Sequence, residues 1–233
     1  MTVQYDAIRL YAAFMFARFA LALCLIAAPL MAQTAQPAAA PPSAPAPAAP
    51  PAPPAHIPAT VKVAIETSLG TITVAIEVER APITAANFLR YVDQKRYDGT
   101  FFYRADPVQK DFGLIQAGTR GDPKRTLKPI PHEPTTKTGL SNTDGALSMA
   151  RNAPGSATSD FFIIVGDMSG LDAKPGAPGD NQGFAVFGHV IDGMDVVRKI
   201  MLSPTDPDAG EGLLKGQMLK PKIMILKAHR VNG

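Results

Sequence analysis

Leu147-Ser148-Met149-Ala150-Arg151-Asn152-Ala153-Pro154-Gly155-Ser156-Ala157-Thr158-Ser159-Asp160-Phe161-Phe162-Ile163-Ile164 carries the pattern from which the architecture follows. Two short apolar runs with strand character flank a loop of small residues, so a strand leads into a surface loop and a second, largely buried strand follows. Such a unit makes half of a binding groove. It holds no nucleophile beside a base, no metal-ligand spacing and no phosphate loop, so its chemistry has to rest on shape and a few polar groups.

Upstream, Val61, Val63 and Ile65 alternate with polar or small residues, as do Ile72, Val74, Ile76 and Val78, and Ser68-Leu69-Gly70 separates the two runs. Period two on both sides of a turn predicts an antiparallel hairpin. Pro82 then stands where a helix tolerates it, and Ala85, Phe88, Leu89 and Val92 recur at helical spacing, with Phe88 and Leu89 facing a core. Thr100 to Arg104 and Gly113 to Gly118 read as strands.

Downstream, Leu171 to Gly183 is a Gly/Pro/Asp loop and Phe184 to Val190 another strand. Asp192 is placed to cap a short helix carrying Val196, Val197 and Ile200, and Ile223 to Ala228 supplies a last strand. Many short strands with little helix suggest an antiparallel barrel or sandwich.

The first third of the chain is a different material. Arg9 and Arg18 precede the apolar run Phe19 to Met31, which is shorter than the ~20 residues of a membrane span, and Leu30-Met31-Ala32 offers a cleavage point. Residues 1–32 are therefore expected to be a secretory signal peptide, with an uncleaved membrane anchor as the alternative. Residues 33–60 are nearly all Ala and Pro and cannot bury a core. They are expected to be an extended spacer reaching on the order of 80 Å at ~3.1 Å per residue. The folded domain is assigned to 61–233.

The chain carries 23 Lys and Arg against 20 Asp and Glu. Setting aside Asp6, Arg9 and Arg18 leaves 21 against 19 beyond residue 61, too balanced for a nucleic-acid footprint. The one cysteine, Cys24, cannot form an intramolecular disulfide, so stability must come from a core, for which about 170 residues suffice. His56, His132, His189 and His229 show no metal-ligand spacing, and neither Ser148 nor Ser159 sits in a nucleophile elbow.

In their order and spacing, several runs resemble the cyclophilin-type peptidyl-prolyl cis-trans isomerases. They are Ala81 to Leu89, Phe102-Tyr103-Arg104, Leu114-Ile115-Gln116-Ala117-Gly118, Leu147 to Arg151, Ser159 to Ile163, and Phe187 to Gly193. The resemblance spans Lys62 to Val231. It implies a mainly β fold, a closed eight-stranded antiparallel β-barrel capped by two α-helices, with the proline site on its outer face. It implies Arg104 as the catalytic arginine and Gln116 as a substrate-binding glutamine. Leu114, Ala150, Phe162 and Leu171 fall at groove positions.

Arg151 replaces an asparagine whose backbone binds substrate, and Phe184 replaces a groove histidine. Gly170 stands where many members have tryptophan, so strong cyclosporin binding is not expected. Ala105 to Gly113 exceed the family's spacing, which leaves open whether Phe112 lines the proline pocket. The implied substrates are proline-containing polypeptides, with no nucleic acid, no cofactor and no metal. A monomer in the periplasm is expected, tethered to the membrane only if the leader stays uncleaved. A non-catalytic proline-binding or chaperone module on the same fold is the alternative.

Overall fold

A computed structural model describes residues 59–231. The expected signal peptide and almost all of the Pro/Ala-rich spacer lie outside the described residues.

The predicted hairpin forms from β1 (Val61–Thr67) and β2 (Gly70–Ile76), with Val63 opposite Val74 and Ile65 opposite Ile72, all four buried. Two longer strands follow the first helix, β3 (Phe101–Gln109) and β4 (Phe112–Gly118). Next come β5 (Ala146–Met149), β6 (Phe161–Val165) and β7 (Ala185–Asp192), then a two-residue β8 (Thr205–Asp206) and a long β9 (Met218–Arg230). Every pairing is antiparallel. The order β1-β2-β7-β5-β6-β4-β3-β9 closes through β9 on β1, and β8 pairs with β9. This is the expected eight-stranded barrel, and an interior of that size is filled by side chains.

Two helices pack on it. In α1 (Pro82–Asp93), Phe88 and Leu89 are buried as their spacing requires, Phe88 in an aromatic cluster with Tyr97, Phe161 and Phe187. Its N-cap residue, Ala81, has no side-chain acceptor. The buried carboxylate of Glu133 serves instead, accepting from the Thr84 amide at 2.7 Å and its hydroxyl at 2.8 Å, where the helix dipole favours negative charge. A single helical turn, α2 (Thr135–Thr138), precedes β5.

The other packed helix is α3 (Met194–Met201), which buries Val196, Val197, Ile200 and Met201. Asp192 does not cap it. It ends β7 opposite Thr73, and Gly193 occupies the cap at φ 87°. A β-carbon there would stand 2.4 Å from the Thr71 carbonyl oxygen, so the backbone crossing admits only glycine.

The residues in excess of the family spacing are not a loop. β3 continues to Gln109 and β4 begins at Phe112, so 105–113 lengthen a hairpin. A reading by composition stops at Arg104 because Pro107, Lys110 and Asp111 look like turn residues. Pro107 is instead tolerated next to a register shift, where a strand can spare an amide.

Alternation divides the wall into two apolar sets. Ile115, Leu147, Phe161, Ile163 and Phe187 point inward to the main core. Leu114, Ala146, Phe162, Ile164 and Val186 point outward and form a second cluster with Met168, Leu171 and Phe184.

Candidate functional site

One row of directly opposed residues crosses the outer face. Arg104 on β3 faces Gln116 on β4, Gln116 faces Phe162 on β6, Phe162 faces Ser148 on β5, and Ser148 faces Val186 on β7. Opposed residues share a face of the sheet, so the expected donor, the expected polar hold and the expected pocket ring stand side by side.

A β-bulge makes this arrangement possible. The register shifts between Phe102 and Arg104, so Phe102 stays in the inner core opposite Ala117 while Arg104 turns outward opposite Gln116. Without the extra residue, Arg104 and Phe102 would share a face.

The guanidinium is buried, 3% exposed, and held on all three nitrogens. Its Nη1 donates to Gln116 Oε1 at 3.0 Å, Nε to Gln217 Oε1 at 2.7 Å, and Nη2 to Asp106 Oδ2 at 3.1 Å. Gln116 is the acceptor expected from the motif; Asp106 and Gln217 carry no such signal in the sequence. Gln217 is 113 residues away along the chain, and it meets Arg104 only because β3 and β9 pair in the barrel.

The apolar part of the face is the second cluster. Phe162 meets Phe184 edge to face, with ring centroids 5.2 Å apart. Leu114 is fully buried at its floor, Leu171 stands at its edge, and Phe112 and Ala150 are half-buried against it. Phe112 shares the face of Leu114 and Gln116, which brings its ring onto the cluster despite the longer hairpin.

Ser148 donates to Asn142 Oδ1 at 2.6 Å, and Asn142 Nδ2 donates to Asp172 at 2.6 Å. This buried chain of bonds ties down the segment that carries Leu171.

Arg151, expected to contribute only its backbone, also engages its side chain. Its side chain is buried and grips the loop on the far side of the groove: Nη1 donates to Asp180 Oδ2 at 2.6 Å and Nε to the Gly183 carbonyl at 2.9 Å. Its guanidinium also lies 5.4 Å from the centre of the Phe184 ring. The hydrogen bond from Arg151 holds the Asp180 carboxyl below its ordinary range. The same loop is met from outside by His132, whose Nε2 lies 2.9 Å from the Gln182 carbonyl, and burial pushes its imidazole below the usual histidine value.

Known proteins match this architecture. The family model described as "Cyclophilin type peptidyl-prolyl cis-trans isomerase/CLD" matches residues 62–230. The chain belongs to this family. It is a peptidyl-prolyl cis-trans isomerase, and its substrates are proline-containing peptides.

A peptidyl-prolyl cis-trans isomerase of Acinetobacter baylyi is 44% identical over 155 residues, 65% of this chain and 77% of that one. Peptidyl-prolyl cis-trans isomerase B of Escherichia coli is 39% identical over 140 residues, covering 59% and 81%. A crystal structure of a Cryptosporidium parvum cyclophilin, obtained in the presence of the dipeptide Ala-Pro, has a TM-score of 0.57 and 23% identity. It covers 74% of this chain and 99% of its own, a likeness of fold. Among the described residues of this cyclophilin, no group of three or more His, Cys, Asp or Glu could hold a metal ion.

Proposed function

We propose that the isomerase works on its outer-face row, with Arg104 as the catalytic donor and Gln116 and the Phe162 cluster as the substrate hold. The X-Pro bond resists rotation by ~18–20 kcal/mol because it is partly double. Half-way round, conjugation is lost and the nitrogen lone pair becomes localised. A donor aimed at that nitrogen stabilises the twisted state more than either planar one, which is what catalysis requires. Guanidinium stays protonated, so Arg104 acts by hydrogen bonding and not as an acid.

One hydrogen bond to a charged group contributes roughly 1.5–3 kcal/mol, whereas an acceleration of about 10⁵ needs about 7 kcal/mol. The remainder falls to the pocket. Phe162, Leu114, Leu171 and Phe112 would seat the proline ring, Gln116 and the Ala150–Arg151 backbone would hold the flanking peptide, and Phe184 would form the far wall. Fixing one side of the bond while the other turns supplies orientation. Exclusion of water strengthens both polar contacts.

The observation that carries this reading is the register Arg104–Gln116–Phe162, three opposed residues on one face. A protease-coupled assay on a proline tetrapeptide tests it. Arg104→Ala is expected to lose at least tenfold in kcat/KM with the fold intact, and equal rates would remove the role.

We further propose that the enzyme assists folding of proteins outside the cytoplasm, in the periplasm, as supported by the arginine-flanked apolar run ahead of Ala32. N-terminal sequencing of protein recovered from the cell envelope is expected to begin near Gln33. Recovery of the full-length chain from the cytosol would contradict export.

A further inference from the structure

The guanidinium of Arg104 is held by more than the glutamine its motif supplies. Its acceptors come from three places: Gln116 on β4, Gln217 just ahead of β9, and Asp106 two residues further along β3. A guanidinium is planar, with five donors in a rigid fork. One acceptor on each nitrogen fixes both its plane and its rotation. All four residues are buried, Asp106 the least with its side chain 12% exposed, so water is poorly placed to replace a lost partner. Asp106 is the one charged acceptor of the three, and charge-assisted bonds are about twice as strong as neutral ones.

We propose that Asp106 is a positioning residue for prolyl isomerisation, acting through Arg104. The inference rests on the assignment of Arg104 as the catalytic donor. The imide nitrogen offers a lone pair only while the bond is twisted, and a hydrogen bond weakens steeply once it bends. A donor already aimed contributes its full strength in that state, whereas one that must first be gathered from several rotamers does not. An ionised carboxylate only accepts hydrogen bonds, so Asp106 orients the guanidinium and takes no part in the reaction itself.

Asp106 owes its place to strand register. It lies opposite Leu114 in the hairpin of β3 and β4. The bulge at Tyr103 turns Arg104 outward, and ordinary alternation then puts Asp106 on the same face. The hairpin thus sets a carboxylate beside the arginine.

The test compares Asp106→Ala, Asp106→Asn and Arg104→Ala in the full chain, measuring kcat and KM on a proline tetrapeptide. The nitrogen-15 signals of the Arg104 guanidinium are recorded alongside. Asp106→Ala is expected to lower kcat about tenfold with KM within twofold, and to average the Nη signals that wild type resolves. Asp106→Asn keeps an acceptor oxygen, so kcat is expected within threefold of wild type with the signals still resolved.

Wild-type kcat in Asp106→Ala would overturn the proposal, as would an Asp106→Asn enzyme as impaired as the alanine variant. If Asp106→Ala does not fold, the asparagine variant decides: folded protein with tenfold lower kcat, or with averaged signals, overturns it. Full activity in Arg104→Ala would remove the underlying assignment, whereas an impaired Arg104→Ala beside an unimpaired Asp106→Ala would remove only this inference.

Discussion

Phe161 and Phe162 are neighbours on β6, equally buried, and do different work. Phe161 points into the barrel, where it meets Phe88 at 5.4 Å, Tyr97 at 5.5 Å and Phe102 at 6.2 Å between ring centroids. Phe162 points out, meets Phe184, and stands in line with Gln116 and Arg104. One residue of register separates the face that holds the barrel together from the face proposed to receive substrate. Burial alone therefore does not distinguish core from site; the side of the sheet does.

Alanine at each position sharpens the contrast. Phe161→Ala is expected to cost about 3–5 kcal/mol of unfolding free energy in urea, because the three surrounding aromatic rings cannot close over the gap. The fraction that remains folded should keep kcat/KM within threefold. Phe162→Ala is expected to cost less stability, since its wall is one layer deep and water can enter behind it, while kcat/KM falls at least tenfold. The comparison breaks if the two variants exchange behaviours.

A smaller effect probes the rim. Arg151→Ala releases the loop held at Asp180 and Gly183 and is expected to cost about 1–2 kcal/mol, in the range of bonds to a charged group where one partner can rehydrate. KM should rise a few-fold as Phe184 loosens, with kcat nearly unchanged. A fall in kcat with unchanged KM would place Arg151 in the chemistry instead.

The smallest effect is on pH. Folding lowers the pKa of both His132 and Asp180, so the folded protein binds fewer protons than the unfolded chain. Both contributions are complete above about pH 6.5 and fade on acidification, that of His132 first and that of Asp180 in the carboxylate range. Urea midpoints followed downward from pH 7.5 should show the decline, and Asp180→Asn should flatten its lower part. A midpoint that rises on acidification would contradict the assigned sign.

Much of this was legible from residue order. Period two fixed the first hairpin, but the continuous apolar run Phe161 to Ile164 did not by itself show which phenylalanine faces outward. The spacing of Phe88 and Leu89 fixed the helix, and the motif order brought out Arg104, Gln116 and Phe162. What escaped reading depends on closure in space. Gln217 reaches Arg104 because two strands distant in sequence become neighbours, and nothing local marks it. Asp106 was hidden because Pro107 and the turn residues beyond it look like a loop, whereas a register shift keeps them in a strand. Arg151 was read for its backbone because its partners, Asp180 and Gly183, lie in a loop without periodicity. The cap of α3 went to Gly193 and not Asp192 because strand pairing claimed Asp192 first.

The most direct test is a nitrogen-15 chemical-shift titration of the folded protein with a proline tetrapeptide. The account predicts that the Arg104 Nε–H and the amides of Gln116, Ala150, Phe162 and Phe184 move together and saturate with one affinity, while Lys62 and Leu226 on the opposite wall stay still. Shifts gathered on β1 and β9, with the Arg104 and Phe162 signals unmoved, would contradict it.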